Sequence, residues 1–232
     1  MAAGSKIEEL LWEQPAPARP SLSLPNIAQA AIAIADADGI EAVSMQRVAG
    51  DLGFTKMSLY RYVSSKADLV AVMIERAVGD PPDLSGIEGG WRPKLEELAR
   101  LVAAVWARHP WLPWATLGDR MMGPREIGWT EAAVGALDGT GLTGGERLDA
   151  ALLIFGHLRN TQSLATAGTQ PWAEDRQAGP ALAQILDRHA NRFPSLVEAL
   201  ADVGDAPRDS GRSFGLTCVL DGLATRITTP RP

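Results

Sequence analysis

Ser44-Met-Gln-Arg-Val-Ala-Gly-Asp-Leu-Gly-Phe-Thr-Lys-Met-Ser-Leu-Tyr-Arg-Tyr-Val-Ser-Ser-Lys66 is the stretch from which the fold of this chain is read. Ser44 can cap a short helix, its hydroxyl accepting a backbone N–H that otherwise has no partner. Val48, Ala49 and Leu52 follow at helical spacing and face inward. Gly53 suits the left-handed residue that ends a helix, because it has no Cβ to clash. Thr55 then caps a second helix reaching Val63, in which Leu59 and Val63 lie four apart on the buried side. Lys56, Ser58, Arg61 and Tyr62 are therefore expected to look outward. Two short helices across a glycine-containing turn, the second rich in groups that reach phosphates and base edges, predict a helix-turn-helix. Double-stranded DNA is the partner this pattern implies.

The neighbouring sequence completes a small domain. Ser65-Lys66-Ala67-Asp68 is a capping box that opens another helix through Leu69, Val72, Met73 and Arg76. Upstream, Ser23 can cap a helix with Pro25 in its first turn, where a missing N–H costs little. Ile27, Ala30, Ala31, Ile34 and Ala35 form its apolar stripe, and Gly39 ends it. A DNA-binding domain over 22–80 is expected, preceded by a flexible proline-containing arm at 1–21.

Groove chemistry suggests a role for each exposed group. The second helix is expected in the major groove, where base edges present distinguishable donors and acceptors. Lys56 and Arg61 can donate to guanine O6 or N7, or to phosphate. Gln46 can pair with adenine or bridge to the backbone. Ser44, Ser58, Tyr60 and Tyr62 offer hydroxyls to phosphate oxygens, and Lys66 can neutralise another phosphate. Thr55 stands at the start of the helix, and Met57 is read either as a contact to a thymine methyl or as filler. Four basic residues against Asp51 leave 44–66 with a net charge of +3, within a chain of net charge −6. That balance argues against indiscriminate coating of nucleic acid and favours a contact confined to one end.

On these residues, with Met57-Ser58-Leu59-Tyr60-Arg61-Tyr62-Val63 at the centre, the chain resembles the TetR family of bacterial transcriptional regulators. A weaker likeness, in His109-Pro110-Trp111-Leu112, Phe214-Gly215-Leu216 and Asp221-Gly222, extends to the family's tetracycline-repressor-like C-terminal domain. The resemblance implies an all-helical fold, a homodimer, and release of DNA when a ligand occupies the second domain. In the family pattern the Tyr60, Tyr62 and Lys66 positions serve the backbone while Lys56 and Arg61 neighbour the bases. Met57 departs from that pattern, standing where a small residue or glycine is common.

After a Gly/Pro punctuation running from Gly79 to Gly90, a second helical domain is expected over 91–228. Helices are read at 91–109, near 114–119, from Pro124 to Leu137, at 144–167 behind a Thr143 cap, and at about 180–203 and 208–228. The 144–167 and 208–228 segments are the most evenly apolar, and Ala150, Ala151, Gly156, Gly215 and Gly222 would let helices approach closely. In the family the matching pair joins its counterpart in a four-helix bundle, so these two are expected to make the homodimer; the alternative is that both are internal core helices of a monomer. Cys218 reads as a small core or interface hydrophobe. Trp106, Trp111, Trp114, Met121, Met122 and Trp129, followed by Phe155, His157, Asn160, Thr161 and Trp172, supply the apolar walls and few polar groups that a small-molecule cavity requires. Plain core is the alternative for the same residues.

Other classes find little support. A lone cysteine cannot form an intrachain disulfide, no Cys/His cluster has zinc spacing, and no phosphate loop or nucleophile elbow is present. No cofactor or metal is expected. Without a secretory start or an apolar run of about 20 residues, a soluble cytoplasmic protein is expected, with no membrane partner. The leading reading is a homodimeric repressor of a palindromic operator, released by a small-molecule effector of unknown identity. The alternatives are the same DNA reader without a ligand, an activator, or a helical protein that uses the head for other contacts.

Overall fold

The computed structural model describes residues 22–167, 180–201 and 210–229, and every regular element among them is helical. Eleven α-helices occur there: α1 (Leu24–Asp38), α2 (Met45–Asp51), α3 (Lys56–Leu59), α4 (Lys66–Val78), α5 (Trp91–Arg108), α6 (Leu112–Ala115), α7 (Pro124–Gly135), α8 (Gly144–Ala167), α9 (Pro180–Arg188), α10 (Pro194–Ala201) and α11 (Ser210–Thr228). The arm at 1–21 and the loop after α8 lie outside the described residues.

The caps form largely where the sequence places them. Ser23 Oγ accepts from Asn26 N, Ser44 Oγ from Arg47 N at 3.2 Å, and Ser65 Oγ from Asp68 N at 3.0 Å. Asp68 turns back to accept from Ser64 N at 3.1 Å, one position before the Ser65 cap, so the reciprocal bond of the expected box is displaced by one residue. Gly39 closes α1 with a bond to Ala35 O, and Gly53 follows α2 at φ +73°. Thr143 and Glu146 form a reciprocal box at the start of α8.

Two local expectations need correction. Thr55 occupies the cap position of α3, but its hydroxyl pairs with Ser58 Oγ at 2.9 Å rather than with a backbone N–H. The regular helix also ends at Leu59 instead of reaching Val63. Beyond it the chain continues in turns, with Tyr62 N and Val63 N both donating to Leu59 O. Tyr60, Tyr62 and Val63 are weak helix formers, so a short segment of this composition readily tightens at its end. Farther on, the single helix expected at 180–203 is two, α9 and α10, with Pro194 starting the second.

The core of the head consists of Ile27, Ala28, Ala31 and Ile34 from α1, Val48 and Ala49 from α2, Leu59 and Val63, and Leu69, Met73 and Ile74 from α4. Full burial of each large aliphatic side chain contributes about 1.5–3 kcal/mol. Leu59 and Val63 are fully buried, which fixes the rotation of α3 and hence what it shows to solvent.

By its contacts the chain forms two compact units, Met1–Ala151 and Leu152–Pro232. In the first, α4 packs on α1, and it also packs on α6 and α7 across the Gly/Pro stretch from Gly79 to Gly90. Leu95, Leu98, Val102, Val105 and Trp106 form the buried stripe of α5. In the second, Ile154, Leu158, Leu186 and Leu220 are buried. No helix among the described residues is long and apolar enough to cross a membrane.

Candidate nucleic-acid interface

The outward face of the head carries Lys56, Met57 and Arg61, all exposed, with Gln46 and Ser44 exposed on and before α2 and Lys66 exposed at the start of α4. Lys56 Nζ stands 5.6 Å from the centre of the Tyr60 ring, close enough for a cation–π contact that limits its swing. Ser58 and Tyr60 are half-buried. Arg47 is paired with Asp38 at the end of α1, which tethers α2 to α1 and occupies one of the four cations of the segment.

Tyr62 departs from the outward position expected of it. Its ring is half-buried and its hydroxyl donates to Leu22 O, forty residues upstream. The proton that would have reached a phosphate is thus engaged within the head, leaving the oxygen as an acceptor only. Lys56, Arg61, Gln46 and Lys66 are the exposed donors of this face, and Met57 is its most exposed apolar side chain.

Two contacts bind this head to the helices that follow it, and the sequence did not announce either. Asp36, on α1, accepts from Trp111 Nε1 at 2.7 Å and from His109 Nδ1 at 2.8 Å. Trp111 is almost fully buried, and Asp36 gives its indole N–H an acceptor. The second contact is on α4. Glu75 accepts from Arg125 N at 2.9 Å and from Glu126 N at 3.4 Å, seating its carboxylate on the first turn of α7. Free N–H groups and the helix dipole favour an anion there. Arg125 reinforces the junction through Asp80 at 2.8 Å.

Gly123 makes room for that carboxylate, since a Cβ at this position would overlap Glu75. An alanine here would push the Glu75 carboxylate off the first turn of α7 and away from the N–H groups of Arg125 and Glu126, so Gly123→Ala should destabilise the first unit by about 1–3 kcal/mol. A lower urea midpoint at unchanged slope is the expected signature; an unaltered midpoint would mean that Glu75 moves aside without loss.

Partial burial pushes the Glu75 carboxyl above the ordinary glutamate range, more than the N–H donors of Arg125 and Glu126 draw it down. Folding thus tightens proton binding here. The stability this gives is complete below the unfolded pKa and is lost as pH rises through the folded one. Glu75→Gln cannot ionise, so its melting temperature should gain on that of the wild type as pH climbs from about 4 to 7. A gap that closed over this interval would contradict the assignment.

The aromatic group foreseen as a cavity is divided between the two units. Trp106, Trp111, Trp114, Met121, Met122 and Trp129 belong to the first, and Phe155, His157, Asn160 and Thr161 to the second; Trp172 lies outside the described residues. Trp106 and Trp111 are buried, Trp114 is half exposed, and Trp129 Nε1 donates to Gly79 O at 3.3 Å. Two indole N–H groups are thereby spent on holding the head rather than left to orient a guest. His157 Nε2 meets Arg212 O at 2.8 Å, and its ring fills the space that a side chain at Gly215 would need. Gly215 therefore admits a neighbour from its own chain, whereas the sequence suggested a close approach between subunits. Thr161 Oγ1 bonds back to His157 O, and Asn160 is exposed. Among the described residues no cluster of three or more His, Cys, Asp or Glu could hold a metal ion.

Comparison with known proteins agrees with this architecture. The family model for bacterial regulatory proteins of the tetR family matches residues 27–73, and that for the tetracyclin repressor-like C-terminal domain matches 82–227. The HTH-type transcriptional repressor DrrR1 of Streptomyces coeruleorubidus is 34% identical, over 96% of this chain and 86% of its own. A crystal structure of a possible TetR family transcriptional regulator from Streptomyces coelicolor A3(2) aligns with a TM-score of 0.71 at 25% identity, covering 88% of this chain and all of that one. ActR of Streptomyces coelicolor, solved in complex with (S)-DNPA, shares the fold with a TM-score of 0.74 at 22% identity, over 89% of this chain and 99% of its own.

Proposed function

The chain belongs to the TetR family of bacterial transcriptional regulators, and from that footing we propose that it is a homodimeric repressor of a palindromic operator, released by a small molecule held in its second domain. It acts by binding, without catalysis, on DNA in the cytoplasm. The observation that carries the reading is the rotation of α3: with Leu59 and Val63 sealed in the core, Lys56, Met57 and Arg61 face solvent together.

Lys56 and Arg61 address base edges or phosphates. Gln46 reaches a base or the backbone, while Lys66, Ser44, Thr55, Ser58 and Tyr60 border the phosphate track; Tyr62, its proton given to Leu22 O, would have to release that bond to join them. Large apolar side chains left in solvent support the homodimer. Leu152 and Leu153 on α8 are 68% and 57% exposed, and Phe214 on α11 is 70% exposed. Apolar surface of this kind on two neighbouring segments of a unit marks a protein interface, and a second copy of the chain supplies its match. Two half-sites about one helical turn apart, or a multiple, then follow from the two-fold symmetry.

Ligand control rests on the 91–228 region, to which we assign Trp106, Trp114, Met121, Met122, Phe155, His157, Asn160, Thr161 and Trp172, with Trp111 and Trp129 in part committed to the head. ActR, a relative in fold, is described with (S)-DNPA bound, which makes a comparable small molecule the natural class to test. An effector can act only through unequal affinity for two arrangements of the heads, and Asp36 and Glu75 are the contacts through which such a difference would reach α1 and α4.

Selection of bound duplexes from a random pool tests the reading. An inverted repeat is expected, bound tightly by the full chain and less tightly when an effector found by thermal-shift screening is added. An asymmetric consensus would remove the dimeric operator. Unchanged affinity at saturating effector would remove induction, leaving a DNA reader governed by other means.

A further inference from the structure

Met57 is 73% exposed, the highest value for any large apolar side chain among the described residues. It lies in the short helix α3 beside Lys56, on the face turned away from buried Leu59. The filler role open to it in sequence disappears, because this side chain fills nothing in the head. A large apolar side chain held in water beside a lysine suits a surface that is anionic overall and apolar at a point.

The major-groove edge of duplex DNA has those properties. Its phosphates attract Lys56 and Arg61, and among the four unmodified bases the sole apolar group it displays is the C5-methyl of thymine. We propose that Met57 is a specificity-determining residue that reads a thymine methyl in each half-site. The inference deepens the operator reading and rests on it. A thioether on three rotatable bonds adapts to a methyl without demanding one geometry, so it selects for the methyl's presence rather than for a fixed contact direction. Burying one methyl corresponds to about 0.8 kcal/mol, or about a 4-fold change in affinity.

Deoxyuridine in place of thymine deletes only that methyl and keeps every donor and acceptor. Each thymine of the selected duplex is replaced in turn, and binding of the full chain is followed by fluorescence anisotropy for the wild type, Met57→Ala and Met57→Leu. For the wild type, deoxyuridine at one position per half-site should cost about 4-fold for each site replaced, with little effect elsewhere. Met57→Ala should lower the penalty at that position to below about 1.5-fold while retaining the wild-type melting temperature, and Met57→Leu should restore it. Equal deoxyuridine penalties in the wild type and Met57→Ala, or no penalty at any thymine, would overturn the proposal. Failure of the selection to yield any preferred duplex would instead remove the operator reading, and this inference with it.

Discussion

Replacing Lys56 and Arg61 together by alanine should lower specific duplex affinity by at least about 100-fold, with the melting temperature essentially unchanged. The argument begins with burial. Both side chains are exposed on the head, whereas the residues that hold α3 in place, Leu59 and Val63, are untouched by the change. Surface substitutions away from caps and cores usually alter stability by no more than about 0.5 kcal/mol. The cation–π contact of Lys56 with Tyr60 adds little at an exposed site.

Affinity is another matter. Loss of a good side-chain contact to a base edge costs about 1–3 kcal/mol, and a dimer loses each contact twice. The dependence on salt separates the roles of the two residues. A side chain on phosphate lowers the steepness of the logarithmic salt dependence by about one for each contact removed, whereas a base reader changes sequence preference instead. Measuring affinity between 50 and 200 mM salt, on the selected duplex and on a scrambled one, therefore assigns each residue. Binding that persisted in the folded double variant would sink the reading of this face.

The second large effect is structural. Asp36→Ala should destabilise the first unit by about 1–3 kcal/mol, because one substitution removes the acceptor of both a part-buried indole N–H and an imidazole N–H. Trp111→Phe isolates one of the two bonds, since it keeps most of the aromatic bulk and removes the donor. In a double-mutant cycle of these two changes, monitored by urea denaturation, a coupling of about 1–2 kcal/mol is expected. Additive costs would mean that Asp36 and Trp111 do not depend on one another for stability. The coupling also bears on regulation. If an effector acts on the head through this junction, Asp36→Asn should weaken induction more than it weakens binding of the operator by the effector-free protein.

Asp36 also shows where sequence reading stops. On α1 it is one exposed carboxylate among several, and no spacing distinguishes it from Asp38, which serves Arg47 nine positions away. Its own partner Trp111 is 75 positions distant. Glu75 is similar: a charge near the end of an amphipathic helix reads as solvated, and only the path of the chain brings the first turn of α7 to it, 50 positions later. In sequence His109 and Trp111 belong to a family-like phrase, and Trp111 also reads as a wall of a cavity. Their actual engagement is with the head.

Within the head the same logic explains both successes and errors. Periodicity alone puts Leu59 and Val63 inside and Lys56 and Arg61 outside, and the structure agrees. The same rule puts Tyr62 outside. An amphipathic ring, however, can lie along the surface and turn its hydroxyl inward, and Leu22 O offered an acceptor that the local sequence could not reveal.

By itself the sequence determined what depends on residues a few positions apart: the serine caps at 23, 44 and 65, the stop at Gly53, the apolar stripes, and so the exposed cationic helix. Tertiary structure alone decided which polar groups are joined across the chain, Asp36 to Trp111, Glu75 to α7 and Tyr62 to Leu22. The physical reason is range. Capping and helical periodicity are satisfied within one or two turns, so the pattern that requires them is written nearby. A buried donor takes whichever acceptor the packed core delivers, and that is settled by how whole helices come together.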